Sequence, residues 1–193
     1  MREDWSNVTD ERLAALFPII LEAHNPDWKN RYEAEKVFLL DVFGAAVVRI
    51  SHIGSTAVAG LTAKPTVDIL LEIKPDTDLT AITALPTEKG YVVNTSQIDI
   101  VMIIKGYTPR GFEGQAFHIH VRHSADWGEL YFRDFLIAHP DAARAYEELK
   151  INLKAQYEHD RDGYTDAKGA FIRAHTEQAR DEFPHRYTPQ DAG

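Results

Sequence analysis

The chain has 193 residues, 44% of them hydrophobic and 26% charged, the balance of a globular protein long enough to bury a core without disulfides or a structural metal. Cysteine is absent, which excludes a disulfide scaffold, a thiolate metal site and a cysteine nucleophile. A formal net charge of −9 with no Lys/Arg-rich run excludes bulk nucleic-acid binding, whereas a phosphate-bearing small molecule needs only a few local cations.

No apolar run reaches the roughly 20 residues that span a bilayer, and the first ten residues have no apolar leader segment, so a cytoplasmic protein is expected. From Thr9 to His24, Leu13, Leu16, Phe17, Ile20 and Leu21 recur at helical spacing behind a Thr9 cap, with Pro18 as a candidate interruption. After Asn25 and Pro26 a second helix is predicted through Trp28, Tyr32, Phe38, Leu39, Val42 and Phe43, stopped by Gly44. The β-branched run from Ala45 to Ile53 reads as a strand, Gly54 to Gly60 as a small-residue turn, and Thr66 to Ile73 as a second strand with Asp68 inside it. Two further strands are expected at Gly90–Asn94 and Ile98–Lys105. A last one at Ala116–Arg122 alternates Phe117, Ile119 and Val121 against His118, His120 and Arg122. Beyond Trp127 the pattern turns helical: a segment with Leu130, Phe132, Phe135 and Leu136, one starting at Pro140, and one from about Thr165 to Phe183, ahead of a tail expected to fray from Pro184. With no repeat or linker, residues 1–193 read as one α+β (α/β) domain, strand-rich over about 45–122 and helical over about 127–183.

The segment from Arg49 to Glu72 carries the chemistry. A Gly54 turn lets backbone amides approach an anion, Ser55 and Thr56 add hydroxyl donors, and Asp68 on the next strand is a candidate ligand for a divalent cation. This is no Walker A loop: one residue too many separates Gly54 from Gly60, and Leu61 stands where the lysine belongs. Lys64, Arg49 and Arg122 are candidate partners for a triphosphate. His52, His118 and His120 are together candidate ligands for a transition metal; the plainer reading of a histidine pair on a strand is a hydrogen-bonded sheet residue.

The string HIGSTAVAGL, followed by AKPTVDI, resembles the hallmark of the GrpB family, and the resemblance extends over roughly residues 24–175, through NPDWKNRYEAEK, HIHV and LYFRDFLIAHPDAARAYEELK. The family is similar to the nucleotidyltransferase superfamily. The resemblance therefore implies a nucleotidyltransferase-like mixed β-sheet core, flanked by N-terminal helices and a C-terminal helical cap. It also implies a site at Gly54, Ser55 and Asp68 that binds a nucleoside triphosphate with Mg²⁺ or Mn²⁺. In the parent enzymes a second acid lies two residues after the first, but here that place is Leu70. Glu72 shares the strand face, yet lies roughly 13 Å along the strand, beyond the ~4 Å spacing of two-metal sites. Asp99, or His118 or His120, is left to supply a third ligand. Arg133, Lys150 and Lys168 fall in family-like positions from which a helical cap supplies cations to a nucleotide. Three functions follow as expectations: nucleotidyl transfer with Asp68 catalytic, a non-catalytic module for a nucleotide or a coenzyme-A-related compound, and a metal-dependent hydrolase built on the histidines. The second draws on the fusion of GrpB-like domains to dephospho-CoA kinase in some bacteria.

Overall fold

The computed structural model of the chain describes residues 9–82, 89–97 and 100–189. Helix α1 (Asp10–Leu16) starts at Thr9, whose side chain accepts the Arg12 amide, and stops short of the expected His24. Pro18 has no amide to continue the ladder. The chain beyond it instead runs extended and is stitched down: Ile19 donates to the Glu158 carbonyl at 2.7 Å, and Glu22 and Ala63 exchange backbone hydrogen bonds. Asn25 accepts the Asp27 amide and opens α2 (Asp27–Phe43). Its residues Trp28, Tyr32, Glu35 and Leu39 form one buried stripe at helical spacing, and Gly44, at φ +50°, closes it as expected.

Among the described residues, five strands make one sheet in the order β1-β2-β5-β4-β3: β1 (Val47–Ile53), β2 (Thr66–Ile73), β3 (Tyr91–Gln97), β4 (Ile100–Thr108) and β5 (Gly111–His123). β2 and β5 pair in parallel, and the other neighbours are antiparallel, so the sheet is mixed. The predicted strand at Ala116–Arg122 is the second half of the longer β5. The parallel register sets Asp68 beside His118, Leu70 beside His120 and Glu72 beside Arg122.

Because strand side chains alternate, the sheet has two distinct faces. One carries Val67, Ile69, Leu71, Phe117, Ile119 and Val121 into the main core beneath Trp28, Tyr32 and Leu39 of α2. The other carries Asp68, Leu70, Glu72, His118, His120 and Arg122 toward the C-terminal helices α3 (Gly128–Ala138), α4 (Pro140–Tyr157), α5 (Arg161–Ala167) and α6 (Gly169–Glu182). There Ile53 and Leu70 pack on Leu130 and Trp127.

The helix expected from Thr165 to Phe183 is thus two helices. They meet at Lys168, which ends one and begins the other. Nor does the chain fray at Pro184: Tyr187 folds back, donating to Asp134 and packing edge-on to Tyr131 with ring centroids 5.1 Å apart. No described helix is long and apolar enough to cross a membrane.

Candidate functional site

The site forms where β1 ends and β2 begins. Gly54 takes φ +70°, a conformation that L side chains avoid, and a Cβ there would overlap the Asp68 carboxylate. The glycine therefore serves both the turn and the close approach of the carboxylate to the backbone. Ser55–Ala57 follows as a single 3-10 turn. Ser55 stands open to the site, its Oγ accepting from Lys150 Nζ at 3.1 Å. Thr56, expected to offer its hydroxyl to an anion, is buried and donates to the Thr66 carbonyl at 3.1 Å, tying the turn to β2.

Cations converge on this turn from three parts of the chain. Lys64 comes from the loop before β2, Lys150 from α4 and Lys168 from the α5–α6 junction, and Arg161 at the start of α5 adds a fourth. Lys150 and Lys168 are only 2% and 9% exposed. The Lys168 ammonium lies 4.3 Å and that of Lys64 5.5 Å from the Tyr164 ring centroid, and Lys150 lies 5.0 Å from that of Tyr146, so aromatic faces carry part of the charge. Burial, then the neighbouring Lys64, Lys150 and Arg161, push Lys168 down to about 7, with Asp68 opposing. Burial and Arg161 bring Lys64 down to about 8. Burial and Lys64 do the same to Lys150, against the pull of Glu147. These are like charges held together in a poorly hydrated place, with Asp68 acting on Lys64 and Lys168 and Glu147 on Lys150.

His118 Nδ1 lies 3.3 Å from Asp68 Oδ1, His118 Nε2 lies 2.7 Å from the Tyr107 hydroxyl, and Arg161 donates to the same hydroxyl at 3.2 Å. Burial alone would raise the Asp68 carboxyl. The hydrogen bond from His118, with the charges of His118, His120 and Lys64, outweighs it and holds the group below the usual range. His120, one register step on, is pushed down by burial and has an unpartnered Nδ1 among the described residues.

Several predicted site residues stand elsewhere. His52 lies on the opposite face of the sheet, stacked on Tyr32 at 4.8 Å with Nε2 2.9 Å from the Thr56 hydroxyl. Burial brings it down to about 4, so it is a neutral packing group and does not converge with His118 and His120. Arg133 donates to the His52 carbonyl at 3.0 Å and to Asp134, Arg122 is held by Glu129 at 2.7 Å over the Trp127 ring, and Arg49 holds Glu72. These arginines tie the protein to itself. Asp99 lies outside the described residues.

A magnesium or manganese pair of the nucleotidyltransferase kind needs two carboxylates at one point. Here Leu70 is fully buried, and Glu72, also fully buried, has both oxygens on Arg49. Among the described residues no group of three or more His, Asp or Glu is placed to hold a metal. The donor set around Asp68 therefore does not fit such a pair, and with His52 turned away the three histidines do not form a transition-metal site. Sequence reading missed Arg161, Tyr107 and Tyr164. The spacing Arg161, Tyr164, Lys168 was a signal, since i, i+3 and i+7 positions lie on one side of a helical segment.

The profile of the GrpB protein family matches residues 18–178. A UPF0157 protein of Pseudomonas aeruginosa is 36% identical over 174 residues, covering 87% of this chain and 68% of that protein. The glutamate-rich protein GrpB of Alkalihalophilus pseudofirmus is 32% identical over 159 residues, covering 80% of this chain and 91% of that protein. The crystal structure of the conserved protein GrpB from Enterococcus faecalis superposes with a TM-score of 0.72 at 25% identity, covering 85% of this chain and 99% of that one.

Proposed function

The chain belongs to the GrpB family, and from that premise we propose that it binds a nucleotide or a nucleotide-containing small molecule, with the phosphates seated at the Ser55 turn among Lys64, Lys150, Lys168 and Arg161. The observation that carries this reading is the convergence of those four cations, with Asp68 acting on Lys64 and Lys168 and Glu147 on Lys150. Unpaired cations in low dielectric are costly, and an anion with several charged oxygens relieves that cost more fully than a single carboxylate does. Asp68, held by His118, partly neutralises the cradle while it is empty. Among the described residues metal-bridged nucleotidyl transfer has no second carboxylate to rest on, so the reading is one of binding.

The test is calorimetric titration of inorganic tripolyphosphate and ATP in metal-free buffer against the wild type, Lys168→Met and Asp68→Asn. Charged hydrogen bonds are worth about 1.5–3 kcal/mol, so Lys168→Met should weaken both ligands roughly 10- to 100-fold. Asp68→Asn removes a charge that repels the incoming anion and should tighten both about threefold or more. Loss of binding in Asp68→Asn would point instead to a metal bridge. Absence of binding to the wild type at millimolar concentration would sink the proposal.

A further inference from the structure

Beside the cation cradle lies a cavity of about 420 Å³, and Lys64 and Arg161 line it. Its other walls come from segments distant in sequence. One is the extended stretch after α1, with Pro18 and Ile20, fixed by the Ile19–Glu158 and Glu22–Ala63 backbone hydrogen bonds. The opposite wall is the β4–β5 hairpin, with Phe112 and Gln115. Phe112 is set in place by Phe17 and Tyr107, at 5.1 and 5.2 Å between ring centroids, and Gln115 is anchored by donating to the Pro65 carbonyl at 2.7 Å. Trp28 of α2 also lines it. Ile20 and Phe112 are two of the large hydrophobic side chains the fold leaves exposed, at 38% and 39%. Both stand at this cavity, and exposed apolar surface rimmed by polar groups marks a place where something binds.

Because Lys64 and Arg161 belong to the cradle and also line the cavity, we infer that the cavity receives the ring-bearing organic group of the same ligand whose phosphates occupy the cradle. The ligand class is then a phosphate ester of nucleoside size, as opposed to an inorganic polyphosphate. This rests on the phosphate-binding reading above and extends it. A cavity of this volume lies within the range of small-molecule sites, roughly 300–1,000 Å³. Pro18, Ile20 and Phe112 in its lining suit the faces of a ring, while Asn25 and Gln115 also line it for polar recognition.

The experiment compares tripolyphosphate with ATP, GTP, CTP and UTP by calorimetry in metal-free buffer, on the wild type, Ile20→Trp and Phe112→Ala. At least one nucleoside triphosphate should bind about tenfold tighter than tripolyphosphate, a modest gain for burying one ring. Ile20→Trp, which fills the cavity, should bring that nucleotide back to the affinity of tripolyphosphate. Tripolyphosphate itself should bind Ile20→Trp as it binds the wild type, which also reports that the variant is folded. Phe112→Ala, which removes one wall, should lose part of the gain. Tripolyphosphate binding as tightly as every nucleotide, or a gain that survives Ile20→Trp, would overturn the assignment of this cavity and leave the cradle standing. Failure of tripolyphosphate and all four nucleotides to bind would bring down the cradle and the cavity together.

Discussion

At the scale of single residues the site is defined by lysines whose charge is costly. Sequence reading placed Ser55, Lys64, Asp68, Lys150 and Lys168 at the site, and these are the groups that meet there. The turn residues and Asp68 were legible because close chain approach calls for glycine and because strand parity fixes where a carboxylate points. The arginines were not legible, because a guanidinium can serve an anion or a neighbouring carboxylate with the same atoms. Arg133, Arg122 and Arg49 serve neighbours. A pH dependence follows from the lysines. Lys168 titrates at about 7 in the ligand-free fold against about 10.4 in an unfolded chain. Between those values the unfolded chain holds more protons, so the contribution of Lys168 to stability rises with pH. Bound ATP, whose terminal phosphate titrates near pH 6 and is fully ionised by pH 8, reverses this by keeping the lysines charged. Affinity for ATP should therefore fall about tenfold between pH 7 and pH 9, with net proton uptake on binding at pH 8. Calorimetry in two buffers of different ionisation enthalpy reads that uptake, and zero uptake with flat affinity would contradict the assignment.

At the scale of elements, α2 and β2 match their sequence patterns closely: α2 has one continuous buried stripe, and β2 reads as an apolar run because both of its faces are covered. Termini were harder. α1 ends early because Pro18 interrupts the ladder, and one predicted helix is two because the chain bends at Lys168 to carry that side chain inward. The stretch after Pro184, polar in sequence, is ordered as far as Tyr187 by contacts no local pattern reveals. The Tyr187 ring packs on Tyr131 and lies 5.0 Å from the Arg49 guanidinium, and its hydroxyl bridges Asp134 and Arg133. Tyr187→Ala should cost about 2 kcal/mol of stability in urea unfolding, from the ring packing lost against Tyr131 and the hydroxyl's hydrogen bonds with Asp134 and Arg133. Tripolyphosphate affinity should stay unchanged, because Tyr187 packs against α3 and β1 and makes no contact with the lysine cradle. A variant as stable as the wild type would show that the C-terminal segment is only draped over these helices.

At the scale of the whole molecule, the strand order β1-β2-β5-β4-β3 is what brings a distant polar face together. Spacing alone gives no reason for β5 to insert beside β2, and only that parallel pairing sets His118 against Asp68. The cations then span the two layers: Lys64 belongs to the sheet side, while Lys150, Arg161 and Lys168 belong to the helices. In the ligand-free protein their mutual repulsion works against the docking of α4, α5 and the start of α6 on the sheet. On the proposed function, a polyanion would turn the same groups into a bridge. Saturating tripolyphosphate should therefore raise the melting temperature by mass action, about 2.7 kcal/mol of added stability at 100 times Kd. It should also slow amide hydrogen exchange in α5 and the first turn of α6 more than in β3 and β4, which lie on the far side of the sheet order from β2. Uniform slowing across all elements would mean that the ligand stabilises only the global fold, and that the lysines do not join its layers.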